Sequence, residues 1–355
     1  MDKKIIEKKV HCLVLPYPGQ GHVNPMLQFS KLLQHEGVKV TLVTTLHYRK
    51  TLQSVPPSIG IETISDGFDN GGIEEAESTK IYLGRFWQVG PKSLVELIEK
   101  LDILGDKVDC VIYDSFFTWA LDVAKRFGII GVSYLTQNMS VSSIYYHVHL
   151  GDLKVPLIDQ DEISLPLLPK FEVGDMPSFF STEGGENQVL LDMVVGQFSN
   201  IDKADWILCN TFYEMEKEIV DWTMNIWPKF RPIGPSIPSM FLDKRLKDDE
   251  DYGVAQFKTN EKYMEWLNDK PKGSVVYVSF GTMVSLDEEQ VQEVAYGLRD
   301  SGSYFLWVGE KGKEIKNNAT KWKNLAIGAF EGGSSQNNIV EFVTSLFNAV
   351  HGLTN

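Results

Sequence analysis

The stretch that decides the fold is Val10–Thr44, VHCLVLPYPGQGHVNPMLQFSKLLQHEGVKVTLVT. Its first part, Val10–Tyr17, is a compact apolar run that ends at Pro-Gly, which is typical of a buried strand. After a glycine-rich loop, Asn24 and Pro25 predict the start of a helix, because asparagine caps helices well and proline suits the first helical position. Val38–Thr44 predicts a second buried strand. This strand-loop-helix-strand order indicates a parallel, doubly wound α/β sheet.

The same alternation continues outward from this stretch. Three further apolar runs have strand length: Asp109–Asp114, Gly131–Leu135 and Trp206–Asn210. Trp119–Phe127 predicts a helix between the first two of these strands. Thr79–Leu101 also has a helical pattern, which the Gly90-Pro91 pair is expected to break.

The pattern restarts after Pro232–Asp251, a segment that combines prolines with a charged run. We interpret this segment as a domain linker, and a surface loop within one domain is the alternative. Two strands and one helix follow it: Val275–Phe280, Asp287–Arg299 and Tyr304–Val308. After them only helical patterns occur, at Lys311–Ala326 and Ile339–Val350. Open sheets typically have about four to six strands, so the second α/β unit is predicted to be incomplete.

The predicted organisation is therefore a first α/β domain at 1–235, a linker at 236–258, a partial second domain at 259–309 and helices at 310–355.

The composition restricts the classes of ligand that the protein can bind. With 34 Lys and Arg against 48 Asp and Glu, the net charge is −14, which disfavours nucleic acid and anionic membranes. The three cysteines, Cys12, Cys110 and Cys209, sit in apolar runs and are expected to be buried thiols. The short N-terminal apolar run indicates a first strand rather than a signal peptide or a membrane span.

His22 is the first candidate for chemistry. It follows the first strand, at the edge of the sheet where doubly wound proteins bind ligands, and Gly19 and Gly21 are expected to allow positive φ and close approach of a ligand. Asp114 ends another buried strand at the same edge. An aspartate there can be a simple turn residue, or it can orient an imidazole for proton transfer. We predict that His22 and Asp114 lie within hydrogen-bonding distance.

Two other groups of polar residues are weaker candidates. Thr136 and Gln137 follow a strand and can contact a ligand or cap the next helix. Ser279–Thr282, a strand-to-helix turn, can bind a phosphate or be a plain turn. No P-loop, nucleophile elbow or Cys/His metal spacing is present.

These motifs together resemble plant family 1 UDP-glycosyltransferases. The opening His11–Pro25 is similar to that of the members that glucosylate carboxylates and hydroxyls of small plant metabolites. Further motifs occur in the family's order: Ser65–Asp69, Tyr113–Ser115, Asn210–Phe212, Ile233–Pro235, Ser279–Thr282, Lys321-Trp322 and Gly332–Ser335.

The resemblance implies a GT-B fold of two Rossmann-like domains and an inverting transfer of sugar, most often glucose, from a UDP-sugar. It implies that His22 is the general base and Asp114 its partner. Gly19, Gln20, Thr136 and Gln137 would serve the acceptor side, with Thr136 near the sugar, and Gly21, Ser279, Gly281 and Thr282 would serve the donor. The co-substrate is a UDP-sugar, and no metal or other cofactor is expected. The expected partners are a small-molecule acceptor and a UDP-sugar, for a cytoplasmic monomer.

One departure from the family bears on activity. The family's donor signature begins with Trp-x-Pro-Gln and continues through His-Cys-Gly-Trp-Asn-Ser, whereas here Trp307-Val308-Gly309 passes directly into Glu310-Lys311. The residues that hold the nucleotide sugar are thus absent from the sequence. We expect the chain to transfer sugar weakly or not at all. The alternative is a non-catalytic small-molecule-binding remnant, a splice or deletion product.

Overall fold

The computed structural model describes residues 9–50, 52, 55–158, 162–181, 184–246, 249, 261–278, 288–307 and 324–352. It divides the chain into two compact units. The first unit comprises Met1–Gln256 and Leu325–Asn355, and the second comprises Phe257–Asn324. The sequence pattern predicted a first domain that ends at residue 235 and separate helices at 310–355. In the structure the first unit extends to Gln256 and also contains Leu325–Asn355.

The strands, in chain order, are β1 (His11–Leu15), β2 (Lys39–Thr45), β3 (Gly60–Ile64), β4 (Cys110–Asp114), β5 (Ile130–Leu135), β6 (Glu162–Ile163), β7 (Phe171–Glu172), β8 (Trp206–Cys209), β9 (Phe230–Pro232), β10 (Val275–Val278) and β11 (Tyr304–Trp307). The α-helices are α1 (Gln20–His35), α2 (Leu46–Arg49), α3 (Thr79–Ile103), α4 (Thr118–Arg126), α5 (Met139–Leu150), α6 (Gly185–Gly196), α7 (Lys217–Ile226), α8 (Glu261–Asn268), α9 (Glu288–Asp300), α10 (324–330) and α11 (Ser334–His351). Short 3-10 helices lie at Gly72–Glu75, Val173–Asp175, Ser178–Phe180, Ile201–Lys203, Tyr213–Met215 and Ser239–Phe241.

The first unit is built on a seven-stranded sheet with the order β3-β2-β1-β4-β5-β8-β9. All neighbouring strands in it are parallel. The strand order reverses between β1 and β4, where Leu15 pairs with Tyr113. The connections that leave these two strands diverge to opposite faces, which opens a crevice at their carboxyl ends. The main candidate residues of the sequence analysis, His22 and Asp114, lie at this crevice.

The two faces of the sheet are covered by different helices. Alternation along β1 places Cys12 and Val14 in one core, with α1, and Leu13 and Leu15 in the other, with α3 and α4. The first core also receives Phe342 of α11, whose ring lies 6.3 Å from that of Phe29 and 5.7 Å from that of Trp206. The C-terminal helix thus completes a face of the N-terminal sheet.

Two helix predictions were wrong at their boundaries. Helix α1 begins at Gln20 rather than Asn24, so Pro25 lies inside it and His22 lies in its first turn. Pro25 is the sixth residue of the helix, so the helix lacks the one hydrogen bond that an N–H there would donate to the Gly21 carbonyl. Helix α3 runs unbroken through Gly90-Pro91. A Cβ on Gly90 would lie 2.9 Å from the rings of Phe86 and Trp119, so these rings pack closely against the helix at this glycine.

The edge strands β3 and β9 were not predicted. Their sequences are short and carry polar or proline residues, because an edge strand is paired on one side only. The predicted interior strands are present, and Cys12, Cys110 and Cys209 are free and buried, as expected.

The second unit contains, within its described residues, α8, α9 and the parallel pair β10–β11. Parallel strands are normally covered on both faces. Here Tyr277, Tyr304 and Phe305 are 61%, 51% and 43% exposed. The described residues of this unit therefore leave much of its strand pair exposed, and the prediction of an incomplete second domain stays a prediction.

Part of the predicted linker packs on the first unit. The Asp249 carboxylate lies 2.5 Å from Lys31 Nζ of α1, and both side chains are buried. It also accepts a hydrogen bond from the Ser239 N–H. Of the predicted linker, residues 247, 248 and 250–258 lie outside the described residues.

Candidate active site

The two leading candidates meet at the crevice between β1 and β4. His22 is placed by the first turn of α1, and Asp114 is the last residue of β4. His22 Nδ1 lies 2.6 Å from Asp114 Oδ2. This distance confirms the predicted proximity of the two side chains. The Asp114 side chain is fully buried, whereas the His22 side chain is 22% exposed, so the pair is reached from the imidazole side.

The Asp114 carboxylate is held in place by backbone N–H groups as well as by the imidazole. The Phe116 N–H donates to Oδ1 at 3.1 Å, and the Tyr17 N–H approaches Oδ2 at 3.4 Å. Both donors lie in turns that directly follow β1 or β4. These contacts stabilise the ionised carboxylate, which otherwise would be costly to bury.

The carboxylate controls the charge and the tautomer of His22. Burial alone lowers the pKa of His22, but the charge of Asp114 and its hydrogen bond outweigh that effect, so the pKa lies above its ordinary value. With Nδ1–H donating to Asp114, the neutral ring carries its lone pair on Nε2. No described residue makes a hydrogen bond to Nε2.

Aromatic rings form the wall around His22. The Tyr17 and Phe116 rings lie 5.3 and 5.0 Å from the imidazole, and Phe117 lies 5.7 Å from Tyr17. Burial, together with Asp114 and Asp66, raises the pKa of Tyr17 to about 12, so its phenol remains a neutral donor. Sequence reasoning did not select these residues. For Tyr17 and Phe116 the available signal was their position, two residues beyond the ends of β1 and β4.

Thr136 joins the site, whereas Gln137 does not contact the pair. Thr136 Oγ1 lies 3.3 Å from His22 Nδ1. Gln137 is exposed, and its carbonyl accepts a hydrogen bond from Cys209 Sγ. No hydrogen bond joins Gln137 to His22 in the described structure.

The glycines of the loop do not have the conformations expected of them. Gly19 caps α1 with φ −147°, and neither Gly19 nor Gly21 has a positive φ. A Cβ on Gly21 would meet nothing within 4 Å, so this position opens onto free space beside the start of α1, next to Gln20. The candidates Ser279, Gly281 and Thr282 lie outside the described residues.

Two features are absent from the residues that the structure describes. No three His, Cys, Asp or Glu side chains come together there as a metal site requires. Among the described helices, none is both long enough and apolar enough to cross a bilayer.

Similarity to known proteins identifies the family of this chain. No family model matches the chain. The chain is 41% identical over 308 residues to UDP-glycosyltransferase 74E2 of Arabidopsis thaliana, an alignment that covers 84% of this chain and 66% of that relative. It is 38% identical over 340 residues to UDP glycosyltransferase 9 of Catharanthus roseus, covering 90% of this chain and 71% of that protein.

Solved structures agree with the sequence relatives. The crystal structure of Os79 from O. sativa in complex with UDP matches with a TM-score of 0.74 at 27% identity, covering 94% of this chain and 84% of that one. The chain therefore spans about two thirds of the length of the first relative and shares the GT-B type of α/β fold. The chain belongs to the plant UDP-glycosyltransferases.

Proposed function

We propose that this chain derives from an enzyme that transfers glucose from UDP-glucose to a hydroxyl or carboxyl group of a small plant metabolite. Its first unit binds the acceptor beside His22, in the aromatic-walled crevice. One observation carries the proposal: His22 Nδ1 is fixed 2.6 Å from the buried Asp114 carboxylate, while Nε2 has no hydrogen bond from the described residues. Such a ring is prepared to accept a proton.

In the proposed reaction, His22 Nε2 takes the proton of the acceptor hydroxyl. The acceptor oxygen forms a bond to the anomeric carbon as the bond from that carbon to the diphosphate breaks, and UDP leaves. Attack from the face opposite the leaving group inverts the anomeric configuration. Asp114 stabilises the imidazolium that forms, because its carboxylate is already ionised and hydrogen-bonded in place. A base of this kind contributes roughly 10²–10⁴-fold to the rate.

We further propose that the chain itself transfers sugar poorly. The donor signature is absent from the sequence that follows Trp307. A donor that is not held loses much of the benefit of fixing both reactants beforehand, which reaches about 7–11 kcal/mol in favourable cases. On the acceptor side, by contrast, His22, Asp114 and Thr136 are in contact.

Calorimetry with UDP-glucose and a glucosylation assay on a panel of phenols and carboxylic acids test both statements. We expect little donor binding and little turnover from the purified chain. A chimera that inserts the donor segment of a relative between Val308 and Gly309 should gain turnover, and His22→Ala in that chimera should lose it. Steady turnover by the unmodified chain would contradict the second statement. Turnover that survives His22→Ala would contradict the first.

The second candidate function is a small-molecule-binding protein without catalysis. Two observations favour it: His22 and Asp114 are in contact in the first unit, and the described part of the second unit has a sheet of two strands. Acceptor binding by calorimetry without UDP-glucose, together with no turnover, is its expected signature. For either function we propose a cytoplasmic monomer, in keeping with three free, buried thiols.

A further inference from the structure

The carboxamide of Asn210, which follows β8, bridges two segments at the edge of the site. Its Nδ2 donates to the Thr136 carbonyl at 3.2 Å, and its Oδ1 accepts from the Ser236 N–H at 2.8 Å. One partner is an acceptor and the other is a donor, so the orientation of the amide is set by its neighbours. Asn210 therefore ties the loop after β5 to the segment after β9.

The segment after β9 is packed closely against Asn210. A Cβ on Gly234 would lie 2.7 Å from Asn210 Oδ1 and 2.8 Å from the Thr211 nitrogen. The Gly234 N–H donates to the Thr211 carbonyl at 2.7 Å, and the Gly234 carbonyl accepts from Ser335 Oγ at 2.6 Å. Ser335 lies in the first turn of α11. The segment is thus held from both sides, which leaves Asn210 little freedom to move.

Thr136 carries this restraint to the candidate base. Its Oγ1 lies 3.3 Å from His22 Nδ1, the nitrogen that also faces Asp114. When Nδ1–H donates to the carboxylate, the hydroxyl oxygen is a second, weaker acceptor for the same proton. A shift of the loop by about 0.5 Å would take this contact beyond hydrogen-bonding range. The position of the Thr136 backbone therefore decides whether the contact exists.

We propose that Asn210 is a positioning residue for His22: its carboxamide fixes the Thr136 loop so that the Thr136 hydroxyl restrains the imidazole with Nε2 facing the acceptor. The inference rests on the proposed role of His22 as a base. Asparagine suits the position because one short side chain supplies both a donor and an acceptor. Aspartate would lack the donor that Thr136 needs, and leucine would leave the Ser236 N–H without its partner.

NMR titration of ¹³C-labelled histidines tests the proposal without requiring turnover. The chain has 7 histidines, and the His22 and His11 signals are assigned by their loss in His22→Ala and His11→Ala. We expect Thr136→Ala to lower the His22 midpoint by about half a pH unit, because an acceptor that favours the protonated ring is lost. Asn210→Ala should shift it in the same direction. The double variant should match Thr136→Ala alone, since both changes remove one restraint.

Asn338→Ala is the matched control. It removes a similar amide-to-carbonyl bond, from Asn338 Nδ2 to the Pro232 carbonyl at 2.7 Å, which involves neither Asn210 nor Thr136. The His22 midpoint should stay at the wild-type value in this variant, and the His11 midpoint should stay constant throughout. If Asn210→Ala does not fold, Asn210→Ser, which is too short to reach both partners, repeats the test with the same expected shift.

Three results would overturn the proposal. The first is an unchanged His22 midpoint in Asn210→Ala, the second is an equal shift in Asn338→Ala, and the third is additive shifts in the double variant. A failed glucosylation assay with the chimera that carries the donor segment counts against the proposed function only, because the titration reports on the histidine and not on transfer.

Discussion

Two histidines lie at opposite ends of the same strand-helix unit, and both lie near aspartates. His11 is the first residue of β1, at the amino edge of the sheet, and His22 follows that strand at the carboxyl edge. His11 Nδ1 lies 3.3 Å from Asp106, and His22 Nδ1 lies 2.6 Å from Asp114. In sequence terms the two are similar: each is a histidine of this strand-helix unit, with an aspartate supplied by the segment around β4.

The second ring nitrogen distinguishes them. His11 Nε2 lies 2.8 Å from Thr41 Oγ1, and the residue is 1% exposed, so both nitrogens are engaged inside the protein. His22 Nε2 has no such partner among the described residues, and its side chain is 22% exposed. A histidine with both nitrogens satisfied contributes to stability, whereas one with a free, accessible nitrogen can exchange a proton with a ligand. His11 therefore has a structural role, and His22 is the histidine of the two that can take part in proton transfer.

Chemical modification should show the largest difference between the two residues. Diethyl pyrocarbonate attacks an accessible neutral imidazole, so we expect His22 to react at least about 100-fold faster than His11, which is reached only when the sheet opens. Mass spectrometry of peptides from a time course at neutral pH gives both rates from one sample. Similar rates for the two residues would contradict the conclusion that His22 is accessible and His11 is not.

Removal of each side chain should affect stability in the opposite order. His11→Ala leaves the buried Thr41 hydroxyl without its imidazole partner and removes the contact with Asp106, and we expect it to lower the free energy of unfolding by about 2–4 kcal/mol. His22→Ala should cost about 1 kcal/mol or less, because the imidazole is partly exposed and water can take its place beside Asp114. Urea denaturation followed by tryptophan fluorescence measures both. A larger loss in His22→Ala would contradict the assignment.

A matched pair of threonine substitutions tests the same distinction between His11 and His22, with smaller expected losses in the free energy of unfolding. Thr41→Val removes the hydroxyl that faces His11 Nε2 in a residue that is 4% exposed. We expect a loss of about 1–2 kcal/mol, because a buried polar group then has no partner. Thr136→Val removes the hydroxyl beside His22 and should cost less than about 0.5 kcal/mol, since that site is open to water. Equal losses in the two denaturation curves would count against the distinction.

The sequence predicted the sheet and the edge that carries the site, because a buried parallel strand leaves a clear apolar run and the topology then fixes which ends meet. The proximity of His22 and Asp114 followed from this reasoning. Other features depend on contacts between distant segments. The close packing at Gly90 of α3 involves Trp119 of α4, and the core of the first unit includes Phe342, which lies far along the chain.

The same limit applies within the site. That His11 has a partner for its second nitrogen depends on Thr41, across a neighbouring strand, and no local pattern marks it. The restraint on Thr136 depends on Asn210, which the sequence offered only as part of a family motif. Tyr17 and Phe116 could have been selected from position alone, because turns after adjacent interior strands point into one crevice.

The smallest expected effect is on the pH dependence of stability, and the two histidines should contribute with opposite signs. Burial lowers the pKa of His11 below its ordinary value of 6.5, and it outweighs the opposing charge of Asp106. The unfolded chain then binds the proton first as the pH falls. The stability that neutral His11 provides is therefore complete above the ordinary pKa and is lost as the pH falls toward the folded value.

For His22 the sign is reversed. Its pKa is raised, because Asp114 outweighs the effect of burial, so its contribution is complete below pH 6.5 and is lost as the pH rises through the folded value. Free energies of unfolding for the wild type, His11→Ala and His22→Ala should be measured at intervals from about pH 5 to 9, within the range where histidines titrate. The difference between wild type and His11→Ala should grow with pH, and the difference between wild type and His22→Ala should shrink. Two differences that change in the same direction would show that the carboxylate does not control His22, and the assignment of His22 as the base would lose its electrostatic support.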